Sequence, residues 1–371
     1  MNPLVELHAY GQSFWYDNIH RQFLQDGTLQ RLIEQDGLRG MTSNPSIFEK
    51  AIGQGDEYDA QIRELVAQGA GSTEIYEALA LADIQAACDL FANMYAESKG
   101  GDGFVSLEVS PHLARDTAGT ISEAKRLFTA VNRPNVMIKV PATSEGIPAI
   151  EALIGAGINV NITLMFSMAH YEAVAQAYLQ GLRQLLANGG KPQQVASVAS
   201  FFVSRVDTAV DKKLNELDDP AAAALLGKTA VANSKIVYQR FKEIFHGADF
   251  QELQTAGAVR QRLLWASTST KNPAYPDTLY VDNLIGAETV NTMPPETIEA
   301  FRDHGRLANT LEQDIAEAQE VLDNLAELQI NLDDITEKLQ ADGVVAFARS
   351  FDALMGAIEG KVRRWGDEVM R

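Results

Sequence analysis

The sequence predicts a (β/α)8 barrel carrying extra helices at its C-terminal end. Three observations carry that reading. Eight short apolar or alternating segments recur, longer amphipathic patterns separate most of them, and polar residues gather at the C-terminal ends of several segments. Strand followed by helix, eight times over roughly 290 residues, suits a closed parallel barrel. An open doubly wound sheet is the alternative, but it usually has fewer strands. It would also favour a glycine-rich phosphate loop after an early strand, and "GQGDEY" from Gly53 lacks the third glycine and follows no strand.

The candidate strands run in order. "SFWYDN" places Asp17 near its end, and "LRGMTSN" ends on Asn44, just before a proline. Side chains alternate along a strand, so each later segment has two faces. In "GFVSLEVS", Val105, Leu107 and Val109 oppose Ser106, Glu108 and Ser110. In "NVMIKVP", Val136, Ile138 and Val140 oppose Met137 and Lys139. In "INVNITLMF", Val160, Ile162 and Leu164 oppose Asn159, Asn161 and Thr163. "VASVASFFVSR" holds Ser200 and ends on Arg205, and "RLLWAST" carries Ser267. The eighth strand is read at "TLYVDNL", residues 278–284. Helical patterns intervene, such as "SEAKRLFTAV" from Ser122 and "AHYEAVAQAYLQGLRQLLANG" from Ala169. After about Pro295 the pattern becomes helical throughout, opening with proline in a first turn, "PPETIEAFRDHG". The chain is therefore read as one barrel domain, 1–371, of which about 295–371 is a helical extension.

Composition narrows the function. With 46% apolar and 22% charged residues among 371, the chain is an ordinary globular protein. Its net charge of −19 argues against nucleic acid or an anionic membrane as partner. An anionic substrate would need local positive charge. The lone cysteine, Cys88, sits in a helical pattern and excludes an internal disulfide. Six scattered histidines show no metal-ligand spacing, and no G-x-S-x-G elbow occurs. Neither a secretory signal nor an apolar run long enough for a membrane span is present, so a cytoplasmic location is expected.

Apolar faces suit the surrounding helices, which turns the polar faces toward the barrel axis, where bulky branched residues normally sit. A lysine there is costly unless paired, neutral or reactive. As a neutral amine, Lys139 can form a Schiff base with a carbonyl substrate, and the iminium then accepts electrons from a breaking carbon–carbon bond. Asp17 and Glu108 can move protons, Glu108 with Thr163 can hold a water, and Asn44 and Asn161 can fix hydroxyls. This is class I aldolase chemistry.

"MTSNPSIF", "VMIKVPAT", "GINVNITLMFS", "SFFVSRVD" and "WASTSTKNP" resemble the successive signatures of the transaldolase family, over nearly the whole chain. The resemblance implies a cofactor-free barrel that moves a dihydroxyacetone unit from fructose 6-phosphate or sedoheptulose 7-phosphate to an aldose phosphate. It makes Lys139 the Schiff-base lysine, Asp17 the acid–base group for cleavage, and Glu108 with Thr163 the pair that handles water. Asn44, Asn161 and Ser200 match the dihydroxyacetone pocket, while Arg205 and Ser267 match phosphate contacts. Many members carry an arginine two residues after that serine. Here the stretch is "STSTK", so Lys271 is assigned to the phosphate with Arg205. The expected partners are sugar phosphates, with the chain a monomer or homodimer. A related aldolase releasing free dihydroxyacetone, and a non-catalytic sugar-phosphate-binding barrel, are the alternatives.

Overall fold

The computed structural model describes residues 2–369. Eight parallel strands close on themselves in sequence order, so the barrel expectation holds. They are β1 (Gln12–Asp17), β2 (Gly40–Thr42), β3 (Phe104–Glu108), β4 (Val136–Pro141), β5 (Val160–Met165), β6 (Ser197–Phe202), β7 (Arg262–Ala266) and β8 (Thr289–Met293). Closure is made by β1 against β8, where Phe14 stands opposite Asn291. Val105, Val136, Ile138, Val140, Val160 and Ile162 are wholly buried, as expected of strand faces covered by helices.

One strand is not where the sequence pattern put it. "TLYVDNL" contains a short helix, Leu279–Asn283, and the eighth strand is "TVNTM", ten residues further on. A short apolar run does not by itself distinguish strand from helix. Here the helix buries Tyr280 and Val281, and the Tyr280 hydroxyl donates to Asp207 Oδ2 at 2.9 Å. The true strand escaped notice because Thr289, Asn291 and Thr292 interrupt its apolar pattern, although all are buried.

The two ends of the barrel differ. At the N-terminal end a buried carboxylate, Asp102, accepts from Ser13 Oγ at 2.9 Å, Arg39 Nε at 2.6 Å and an Arg262 nitrogen at 3.0 Å. Arg262 also donates to Ser13 Oγ and to the Thr289 carbonyl, tying β7 to β1 and β8. At the C-terminal end the alternation of β5 breaks. Leu164 takes φ 60° and the β5–β6 register shifts between Ile162 and Met165, the signature of a bulge.

A 38-residue helix, Leu332–Val369, docks at that irregular end. Gln340 Nε2 donates to the carbonyls of Ala142 (2.9 Å) and Leu164 (3.1 Å), satisfying backbone that has left the ladder. Gly343 lets the helix approach, because a Cβ there would lie 2.8 Å from Leu164 Cδ2. Further along, Ser46 Oγ donates to Ser350 Oγ at 2.8 Å. Lys361 reaches the Gly55 carbonyl and Asp59, each at 2.7 Å. The helix thus runs across the strand ends from β5 to the helices after β2. Among the described residues, no helix is long and apolar enough to cross a membrane.

Candidate active site

At the C-terminal end of the strands lies a cavity of about 200 Å³, walled by Asp17, Asn44, Lys139, Thr163, Ser200, Arg205, Ser267 and Lys271, among others. Residues from seven of the eight strands and their following loops meet there, only β3 contributing none. Glu108 and Asn161, also expected in the site, stand outside the wall. Each flanks Lys139 across a strand pairing, Glu108 from β3 and Asn161 from β5.

Lys139 is buried, and its amine donates to the Ser43 carbonyl at 2.9 Å. Among the described residues it forms no ion pair. Asp17 and Glu108 nevertheless both lie within electrostatic reach of it. Burial pushes the Asp17 carboxyl above its usual range, although Lys139 and a 2.7 Å hydrogen bond from Thr42 Oγ1 work the other way. Burial pushes Glu108 up to about 7, opposed by Lys139 and reinforced by Asp17. Both carboxyls are thus shifted upward by burial, and Glu108, at about 7, is placed for proton transfer near neutral pH. Glu108 Oε2 and Thr163 Oγ1 are both buried with no hydrogen-bond partner among the described residues.

A polar layer supports this group. Asn161 is fully buried, donating to Ser106 Oγ at 3.0 Å and accepting from Ser200 Oγ at 2.6 Å. It therefore acts as a brace behind the cavity. Asn44 starts the helix Pro45–Gln54, its Oδ1 accepting from Ile47 N at 3.0 Å. That cap commits the amide oxygen and leaves its NH2 for a ligand.

The outer wall is cationic. Arg205 occupies the first turn of the helix Ser204–Leu214, with its guanidinium 5.4 Å from the Phe202 ring centre. It is half-buried and has no carboxylate partner among the described residues, and burial lowers its pKa. Lys271 is exposed, donates to Ser269 Oγ and lies within electrostatic reach of both Arg205 and Glu296. Ser267 has φ 56°, a strained backbone for a serine, and its hydroxyl shares a 2.9 Å hydrogen bond with Ser204.

Several wall residues were not anticipated. Thr42 bridges Asp17 to Thr292, 2.7 Å from each. Thr292, Pro294 and Glu296 come from β8 and the turn after it, which the misplaced eighth strand hid. Phe347 comes from the C-terminal helix and had no local signal. No group of three or more His, Cys, Asp or Glu among the described residues is arranged to hold a metal ion.

Residues 14–358 match the family described as Transaldolase/Fructose-6-phosphate aldolase. The chain belongs to that family. It is 46% identical over 373 residues to a transaldolase of Trichodesmium erythraeum, covering 98% of each chain. It is also 46% identical over 358 residues to one of Thiobacillus denitrificans, covering 96% of this chain and all of the relative. A Mycolicibacterium smegmatis transaldolase is 46% identical over 363 residues, 97% of this chain. The match takes in β1 from Phe14 onward, the other seven strands and most of the C-terminal helix.

Proposed function

We propose that the protein is a transaldolase, exchanging a dihydroxyacetone unit between sugar phosphates in the cytoplasmic pentose phosphate pathway. The observation that carries this is Lys139, a buried amine with no ion pair among the described residues, within electrostatic reach of two carboxyls and beside a cationic wall. The Lys139 amine adds to the C2 carbonyl of fructose 6-phosphate or sedoheptulose 7-phosphate, giving a carbinolamine. Glu108, with Thr163 holding the leaving hydroxyl, protonates it to water as the nitrogen lone pair forms the iminium. Asp17 then takes the C4 hydroxyl proton, the C3–C4 bond breaks, and its electrons pass to nitrogen. The aldose phosphate leaves, and the three-carbon enamine stays on Lys139 until an acceptor aldose phosphate reverses the sequence. Asn44 and Ser200 hold the three-carbon unit, Asn161 braces Ser200, and Arg205, Ser267 and Lys271 receive the phosphate.

The test is transfer from fructose 6-phosphate with and without erythrose 4-phosphate, alongside borohydride trapping. Turnover should require the acceptor, and the reduced three-carbon adduct should map by mass spectrometry to the peptide containing Lys139. Lys139→Met should fold and show no transfer. Steady release of dihydroxyacetone without acceptor would make the enzyme an aldolase instead. An adduct on another lysine would overturn the site.

A further inference from the structure

Forming the iminium takes up one proton and releases one water: R–NH2 + O=CR2 + H⁺ → R–NH⁺=CR2 + H2O. Both must move while the sugar fills the cavity above Lys139. Glu108, the group assigned to that proton, is not part of the cavity wall. It lines a second cavity of about 270 Å³ instead.

This side cavity lies between the helices Ser72–Leu90 and Thr117–Val131 and the C-terminal helix. Among its lining residues Arg126, exposed, pairs with Glu77 and Glu123. Leu81, Leu127, Phe351 and Met355 give it an apolar lining. Tyr76 stands edge-on to Phe351, ring centres 5.4 Å apart, and lies within electrostatic reach of Glu108. Glu108 lines it as well, and one of its carboxyl oxygens is buried and unpartnered among the described residues. Charged residues, an apolar throat of Leu81, Leu127, Phe351 and Met355, and the Glu108 carboxyl thus share one cavity that does not include Lys139.

We propose that this side cavity is the water and proton port of the Lys139 site, serving Glu108 from the flank while the substrate occupies the mouth. Glu108 gives its proton to the carbinolamine hydroxyl, the water departs past Tyr76 and Phe351, and a proton from bulk solvent restores the carboxylic acid. Hydrolysis runs the same steps backward, with water entering by the same route. The C-terminal helix forms one wall of this cavity through Phe351 and Met355. The assignment rests on the Schiff-base reading above.

The experiment narrows the throat and follows the water. Ala80 is buried and lines the cavity without belonging to the catalytic group, so Ala80→Leu fills the passage and Ala80→Ser serves as the conservative control. Phe351→Trp narrows it from the opposite wall, in case the first variant folds poorly. Fructose 6-phosphate is incubated with each enzyme in oxygen-18 water without acceptor, with background exchange subtracted using Lys139→Met. In the wild type and in Ala80→Ser, recovered ketose should acquire label at C2 at each round of iminium formation and hydrolysis. In the narrowed variants the released water should return before it exchanges. Label incorporation per trapped adduct should then fall several-fold, and adduct formation should slow. Wild-type incorporation in both folded, narrowed variants would overturn the port. Failure of the wild type to form any adduct would overturn the Schiff-base reading itself, and the two results are distinguishable.

Discussion

At the residue scale, the acid–base pair divides the work. Glu108 faces Lys139, Asp17 and Tyr76, and the balance of burial against charge puts its pKa at about 7. As the proton donor for dehydration it is active in its protonated form, so adduct formation should fall as pH rises through about 7. Glu108→Gln should remove that limb and slow formation about 10²–10⁴-fold, measured by borohydride quench across pH. Asp17→Ala should still condense with substrate and stall before cleavage, so the trapped species would keep all six carbons. A three-carbon adduct accumulating at the wild-type rate would refute its role. Arg205, a cation with no carboxylate beside it, should contribute through the phosphate alone. Charge-assisted contacts are worth roughly 1.5–3 kcal/mol. Arg205→Ala should therefore raise KM for fructose 6-phosphate about tenfold or more, and leave unphosphorylated fructose almost unaffected. Lys139, Glu108 and Thr163 were legible because each is a polar residue in an otherwise apolar strand, and alternation says which way such a residue points. Thr42 was not, since a threonine in a short strand gives no sign that it will bridge Asp17 and Thr292.

At the scale of elements, the C-terminal helix walls the candidate site through Phe347. Its hold on the barrel rests on Gln340, which satisfies two strand-end carbonyls, and on the close approach at Gly343. Gly343→Val would drive side-chain atoms into Leu164, whose backbone is already at positive φ. Overpacking of this kind costs roughly 1–3 kcal/mol. The variant should show a lower Tm, faster hydrogen exchange over 332–369 and reduced turnover, because Phe347 would no longer line the cavity. A normal exchange pattern with normal turnover would contradict this. The sequence revealed the helix through its amphipathic period but not its position, because docking depends on a bulge that single-sequence patterning does not show. The same limit applies to β8. Its polar residues fall on both faces, Thr292 with the cavity and Thr289 and Asn291 on the other, so no apolar alternation marked the strand or Glu296 beyond it.

For the molecule as a whole, the two ends of one barrel carry separate duties. The candidate site sits where the strands end, and a network around Asp102 closes the end where they begin. Burial raises the Asp102 pKa, but Arg262 and Arg39 outweigh it and hold the carboxyl below its usual value. The sign follows from linkage. A depressed carboxylate pKa adds stability above the unfolded value, and that stability is lost as pH falls through the folded value. Asp102→Asn would leave two arginines short of their counter-charge. Removing one partner of a buried ion pair costs roughly 3–5 kcal/mol. The variant should lose that much in denaturant unfolding while kcat for transfer stays near wild type.

The closure of β1 on β8 also sets a timetable for synthesis. Asp17 ends a strand whose second neighbour, Thr289 to Met293, leaves the ribosome some 270 residues later, and Phe347 follows later still. Until then β1 presents an open edge, which is a template for wrong pairing. Contacts so distant along the chain form slowly. A nascent chain stalled before β8 therefore already carries Lys139 and both carboxyls, yet it has neither a closed barrel nor a complete pocket. Reactive groups made early stay idle until the last helix arrives.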